Sequence, residues 1–121
     1  MAPLLVIPAP SKLAVGGRLA ARVLSRDAWC CVYCGRTRAP LEIDHVTPCA
    51  HFPAAAPRGV VNDPKNLVTA CVRCNGAKGP QNLDGFVAML RGRGVPTRDI
   101  DAMLERVRES VRRRLPRTDH L

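Results

Sequence analysis

CVYCGRTRAPLEIDH at residues 31–45 and NLVTACVRCNGAKG at residues 66–79 are the two stretches whose reading decides the fold. Each holds a Cys-x-x-Cys unit, Cys31 with Cys34 and Cys71 with Cys74, and 36 residues separate the two units. Zinc prefers four soft ligands at the corners of a tetrahedron. A short knuckle delivers two thiolates from one tight turn, so joining two knuckles closes the loop between them. Structural zinc on Cys31, Cys34, Cys71 and Cys74 is therefore expected. Treating one knuckle as plain buried cysteine explains neither spacing. Cys30 is the spare, because adjacent residues seldom both reach one ion; Cys49 and His51 stay open as alternative ligands that could replace a member of the set.

The rest of the chain suits such a staple. Its 121 residues amount to one domain, with 19 basic and 10 acidic side chains, a net charge of +9, and four aromatics, Trp29, Tyr33, Phe52 and Phe86. Neither a large multidomain enzyme nor a deep hydrophobic core is expected from these numbers, and in a domain this small a bound metal contributes noticeably to stability. No run of 18 apolar residues occurs, and Met1 to Pro10 lacks the charged start and cleavage pattern of a secretory leader. The expected setting is a reducing cytoplasm with no membrane partner, where paired cysteines read as metal ligands rather than disulfides.

Three segments follow. Residues 1–16, with Pro3, Pro8 and Pro10 and no sustained periodicity, read as a flexible arm. Residues 17–96 form the zinc-stapled unit: a helix from Gly17 to Asp27, a strand through Leu41-Glu42-Ile43 whose end presents Asp44 and His45, a proline-rich loop over 47–64, a short helix from Val72 to Ala77 ended by Gly79 and Pro80, and an amphipathic helix from Leu83 to Leu90. Residues 97–121 form a basic helix and tail, capped by Thr97, with Ile100, Met103, Leu104, Val107 and Val111 as its apolar stripe and Leu115 near its end. Residues 91–117 carry nine arginines, four of them crowded at the end of that helix. A solvated face paired with Asp99, Asp101, Glu105 and Glu109 can look like this, but so much arginine fits phosphate recognition better than small-solute metabolism.

The loop closed by zinc concentrates polar groups at Asp44, His45, Asn66, Asn75 and Lys78. Asp44 and Asn75 offer hard oxygens suited to magnesium or manganese. His45 can take a proton from water near neutral pH, while a bound ion draws charge from a phosphodiester. Each residue also has a plain structural role open to it: His45 as a satisfied structural pair with Asp44, Asn66 and Asn75 as caps, Lys78 as surface charge. Their conjunction around two knuckles favours the catalytic one.

These residues resemble the HNH endonuclease family: SRDAWCCVYCG at 25–35, LEIDHVTP at 41–48 and NLVTACVRCNGAKG at 66–79. The resemblance implies an α+β fold, a small ββα-metal domain stapled by a four-cysteine zinc site with flanking helices. It also implies roles: Asp44 and Asn75 as ligands of a catalytic Mg2+ or another divalent ion such as Mn2+ or Ni2+, and His45 as general base. Asn66 would hold the histidine-bearing loop through backbone hydrogen bonds, and Lys78 would lie near DNA phosphate. Arg73, Arg112, Arg113 and Arg114 complete the expected nucleic-acid contacts. In two respects the chain departs from the family pattern: it reads CAHFPAAAPRG where a glycine pair is usual, and it spaces His45 and Asn66 by 21 positions, longer than the family's habit.

The leading expectation is a metal-dependent endonuclease acting on double-stranded DNA with weak sequence preference, targeted by a host system or acting as a homodimer. A noncatalytic zinc-stapled DNA-binding module is the alternative, and a protein-interaction zinc ribbon the third reading. Asp44, His45 and Asn75 together discriminate, since phosphate binding alone requires none of them.

Overall fold

The computed structural model describes residues 6–7 and 14–117; the rest of the segment read as an arm, and residues 118–121, lie outside the described residues. The elements are β1 (Val6–Ile7), α1 (Gly17–Arg26), β2 (Leu41–His45), α2 (Arg58–Val61), β3 (Leu67–Cys71), α3 (Val72–Lys78), α4 (Leu83–Gly92) and α5 (Thr97–Arg112), with single 3-10 turns at Cys49–His51 and Pro64–Asn66. The fold is a small α+β arrangement.

β2 and β3 pair antiparallel, Leu41 opposite Cys71, Asp44 opposite Val68 and His45 opposite Leu67. This register puts the second knuckle beside the start of β2, where the backbone N–H of Val72 donates to the carbonyl of Pro40 at 3.0 Å. β3 is buried along its whole length, with α1, α3 and α5 packed against it. Val6–Ile7, inside the segment expected to be an arm, instead pairs parallel with Leu41 and Glu42; two residues are too few to leave a period in the sequence.

α1 turns Val23 and Leu24 inward, and α5 adds Ile100, Met103 and Val107, all buried. Each such side chain contributes about 1.5–3 kcal/mol on leaving water. The stripe expected for the last helix thus packs into the same core as the zinc-stapled unit. Its start differs from expectation: Pro96 holds the N-cap position, so Thr97 is the first helical residue and caps nothing. Its end differs too, because Arg113 is already extended and Arg114 and Leu115 lie beyond the helix. The stretch expected as loop over 47–64 contains α2, bracketed by Pro57 and Pro64. No helix among the described residues is long and apolar enough to cross a membrane.

A buried polar cluster ties these layers together. The guanidinium of Arg26 pairs with Asp27 at 2.9 Å and donates to the carbonyls of Pro64 (2.9 Å) and Leu67 (2.5 Å) and to Ser110 Oγ (2.9 Å). Asp27 in turn accepts from Ser110 Oγ at 2.7 Å and from the backbone N–H of Thr69 at 2.9 Å. One ion pair thereby joins α1, the 3-10 turn at 64–66, β3 and α5.

Candidate metal centre and active site

The sulfur atoms of Cys31, Cys34, Cys71 and Cys74 all lie within 4.8 Å of one another. Cys34 Sγ and Cys71 Sγ are 3.9 Å apart, close to the edge of about 3.8 Å that follows from zinc–sulfur bonds of about 2.3 Å in a tetrahedron. Each knuckle also turns a backbone N–H toward its first sulfur: Cys34 N to Cys31 Sγ and Cys74 N to Cys71 Sγ, both at 3.4 Å. Hydrogen bonds to sulfur favour the thiolate. The Cys31 thiol is pushed down to about 5, chiefly by its hydrogen bond with Cys74, with burial opposing and backbone amides assisting. Four thiols clustered this closely can hold zinc. Among the described residues, Cys49 and His51 do not join the cluster, and Cys30 Sγ instead lies 3.2 Å from the carbonyl oxygen of Gly35. Gly35 closes the first knuckle at φ +81, where a side chain would be strained, and the Arg106 guanidinium clamps the same turn through the carbonyls of Val32 and Tyr33 at 2.9 and 2.7 Å.

α3 begins directly after β3, so its first turns lie along β2. Asn75 and Lys78, three residues apart, share one face of the helix; Glu42 and Asp44, two apart, share one face of the strand. Asn75 Nδ2 donates to Glu42 Oε1 at 2.6 Å, and Lys78 Nζ reaches Asp44 Oδ2 at 3.1 Å and the carbonyl of His45 at 3.0 Å. The Tyr33 hydroxyl donates to the same Asp44 Oδ2 at 2.5 Å. Burial pushes the Asp44 carboxyl above its ordinary range, while the Lys78 ammonium and the Tyr33 hydroxyl pull it back. Burial and the neighbouring carboxylate push the Tyr33 hydroxyl well up, so it remains a donor.

Lys78 is completely buried. The expectation that it meets DNA phosphate does not fit this placement: its ammonium is consumed by Asp44 and the His45 carbonyl, and its role is to hold the end of β2. Arg73, Arg112, Arg113 and Arg114 are exposed. Arg112 and Arg113 approach Glu109 at 2.6 and 3.9 Å, and all three C-terminal arginines line one basic hollow with Arg22 and Lys65.

Asn66 clamps the chain just past His45. Its Oδ1 accepts from Thr47 N at 2.7 Å, and its Nδ2 donates to the carbonyls of Thr47 (3.0 Å) and Val61 (2.9 Å). His45, with 9% exposure, has its Nε2 at 2.7 Å from Asn62 Oδ1. Three participants escaped sequence reasoning. Glu42 carried a signal in its two-residue spacing from Asp44; Tyr33 and Asn62 carried none, lying inside a knuckle and inside a proline-rich stretch.

The donor set suits a hard divalent cation. Tyr33 and Lys78 both engage Oδ2 of Asp44, and Glu42 engages Nδ2 of Asn75, so these contacts use neither Asp44 Oδ1 nor the carbonyl oxygen of Asn75. Set against known proteins, residues 31–81 match the family model described as HNH endonuclease. The chain is also similar to the crystal structure of the Type II-C Cas9 enzyme from Actinomyces naeslundii, at 22% identity, covering 78% of this chain and 12% of that one, with a TM-score of 0.40. The chain thus spans a small part of that enzyme's length. No curated protein matches the chain.

Proposed function

We propose that the HNH endonuclease segment at residues 31–81 makes this chain a metal-dependent nuclease that hydrolyses phosphodiester bonds of double-stranded DNA. The observation that carries the reading is the docking of Asn75 on Glu42, on the strand that holds Asp44 and His45. Glu42 and Asp44 are two residues, about 7 Å, apart on one face of the strand, so Asn75, docked on Glu42, lies on the face that carries Asp44. Asp44 Oδ1 and Asn75 Oδ1 would hold Mg2+, Mn2+ or Ni2+, which when bound supplies charge to offset that developing on the phosphate. His45 removes the proton from the attacking water. The water oxygen bonds to phosphorus as the bond to the leaving 3' oxygen breaks, giving a 5'-phosphate and a 3'-hydroxyl. Tyr33 and Lys78 keep Asp44 in place, and Asn66 fixes the backbone that carries His45.

Arg73 and the hollow lined by Arg112, Arg113 and Arg114 would bind backbone phosphates, giving salt-sensitive affinity with little base discrimination. A host system or a second copy of the chain would then supply targeting, in a cytoplasmic setting. The Lys78–Asp44 ion pair favours one second reading, a noncatalytic zinc-stapled DNA-binding module, because it satisfies the carboxylate without any cation. Cleavage of supercoiled plasmid with magnesium, manganese or nickel, beside a metal-free control and His45→Ala, separates the two. A nuclease nicks or linearises DNA only with metal, and the variant loses at least about 100-fold of that rate with zinc content and DNA affinity retained. Metal-independent or equal cleavage by the variant refutes the assignment of His45.

A further inference from the structure

The 21-residue spacing between His45 and Asn66 exceeds what the resemblance implies; residues 51–60 lie mostly at the surface, but the end of the stretch does not. It folds back as α2, whose last residue, Val61, is buried, and the next residue, Asn62, is 7% exposed against the imidazole of His45. Several bonds hold it there. The backbone N–H of Asn62 donates to the carbonyl of Arg58 at 2.8 Å, closing α2. Asn66 bonds both the carbonyl of Val61 and the backbone of Thr47, so the residue before Asn62 and the second residue after His45 are held by one side chain.

With the amide oriented so that Asn62 Oδ1 faces Nε2 at 2.7 Å, the contact is directional: a carboxamide oxygen only accepts, so Nε2 carries the hydrogen and Nδ1 keeps its lone pair. We propose that Asn62 is the positioning residue for His45, fixing its Nε2–H tautomer and the rotation of its ring so that Nδ1 is the nitrogen that meets water. The consequence for catalysis rests on the nuclease reading; the tautomer does not. During hydrolysis Nδ1 takes the water's proton as the new phosphorus–oxygen bond forms, and the departing 3' oxygen is protonated from solvent. The ring is then doubly protonated, and Asn62 Oδ1 accepts from Nε2–H before and after the transfer, so the orientation survives the step. An orienting contact to a metal-site or catalytic histidine is worth about 10–100-fold in activity when removed.

The test uses the full chain, zinc-loaded, free of the catalytic divalent ion and labelled with 15N at histidine. Three histidines, His45, His51 and His120, give an assignable long-range 1H–15N spectrum, recorded at about pH 8. The wild type should show His45 with a protonated Nε2 whose proton is slow enough in exchange to be observed directly. Asn62→Leu should lose that proton signal, and Asn62→Asp, which keeps the acceptor, should retain it. In plasmid cleavage Asn62→Leu should lower kcat about 10–100-fold with KM within about twofold, and Asn62→Asp should recover most of the loss. A protonated Nδ1 in the wild type, or an unchanged His45 spectrum in folded Asn62→Leu, overturns the proposal. If Asn62→Leu does not fold, the wild-type tautomer and the Asn62→Asp variant decide the matter. Should the wild type fail to cleave DNA, the nuclease reading falls while the spectrum still judges the tautomer.

Discussion

Asp27→Ala removes the carboxylate at the centre of the buried cluster and leaves the Arg26 guanidinium, whose side chain is 1% exposed, without a counter-charge. It also strips acceptors from Ser110 Oγ and from the backbone N–H of Thr69, in the middle of the strand that faces β2. Breaking a buried ion pair by deleting one partner costs about 3–5 kcal/mol, and a domain of this size has about 5–15 kcal/mol in all. At about 4 °C per kcal/mol, the melting temperature should fall by about 12–20 °C, read by circular dichroism on zinc-loaded protein. Arg26→Met/Asp27→Ala should be less destabilised than the sum of the two single variants, by about 2 kcal/mol or more, because removing both charges leaves no orphan. The carbonyls of Pro64 and Leu67 lose their donor in either Arg26 variant, which loosens the turn that carries Asn66. A melting temperature within about 3 °C of wild type for Asp27→Ala, or strict additivity in the cycle, would refute this account of what locks α5 to β3.

Cys71→Ala should abolish stoichiometric zinc by metal analysis and unfold the chain, since a structural zinc contributes about 10–16 kcal/mol of apparent binding energy; an unchanged melting curve would count against a structural site. Replacing Arg112, Arg113 and Arg114 together by glutamine should weaken DNA binding and flatten the log–log salt slope by about 1–3, with the lower end expected if the contacts of Arg112 and Arg113 to Glu109 persist on DNA; a titration with no change leaves them as solubilising charge. Tyr33→Phe should keep zinc and the edge-on packing against Phe86 at 5.4 Å while losing about 1.5–3 kcal/mol of stability with its hydrogen bond to Asp44. Its cleavage rate should drop with KM little changed, and full activity would show that Asp44 needs no such anchor.

The elements with a strong local signature were legible in the sequence. The knuckles announced themselves by ligand spacing, β2 by its alternation ahead of Asp44 and His45, and α4 and α5 by helical apolar stripes. What stayed hidden were contacts that make a residue type behave against its habit. Arg26 and Asp27 are neighbours in sequence and look like ordinary surface charges, yet α1 ends so that both enter the core beside Ser110, 83 positions from Asp27. A lysine reads as solvent-facing because burying an unpaired ammonium is costly; Lys78 escapes that cost through a carboxylate and a carbonyl supplied by β2, partners that exist only after the sheet has formed. The proline content of 47–64 correctly excludes long elements there, but it conceals a four-residue helix with Asn62 at its C-cap. Within the candidate site, Asp44, His45, Asn66 and Asn75 stand out in the sequence, whereas Tyr33 and Asn62 leave no mark there and Glu42 shows only through its spacing from Asp44.

Tyr33 sits between the two sulfurs of the first knuckle and ends on the carboxylate of β2. A cut that removes the first knuckle therefore also removes a support of the acidic side chain: a transplanted β2–α3 pair beginning at Leu41 would arrive with Asp44 tethered by Lys78 and not by Tyr33. Such a graft loses Cys31 and Cys34 together with Tyr33, so the carboxylate loses its aim in the same stroke that halves the metal's ligands.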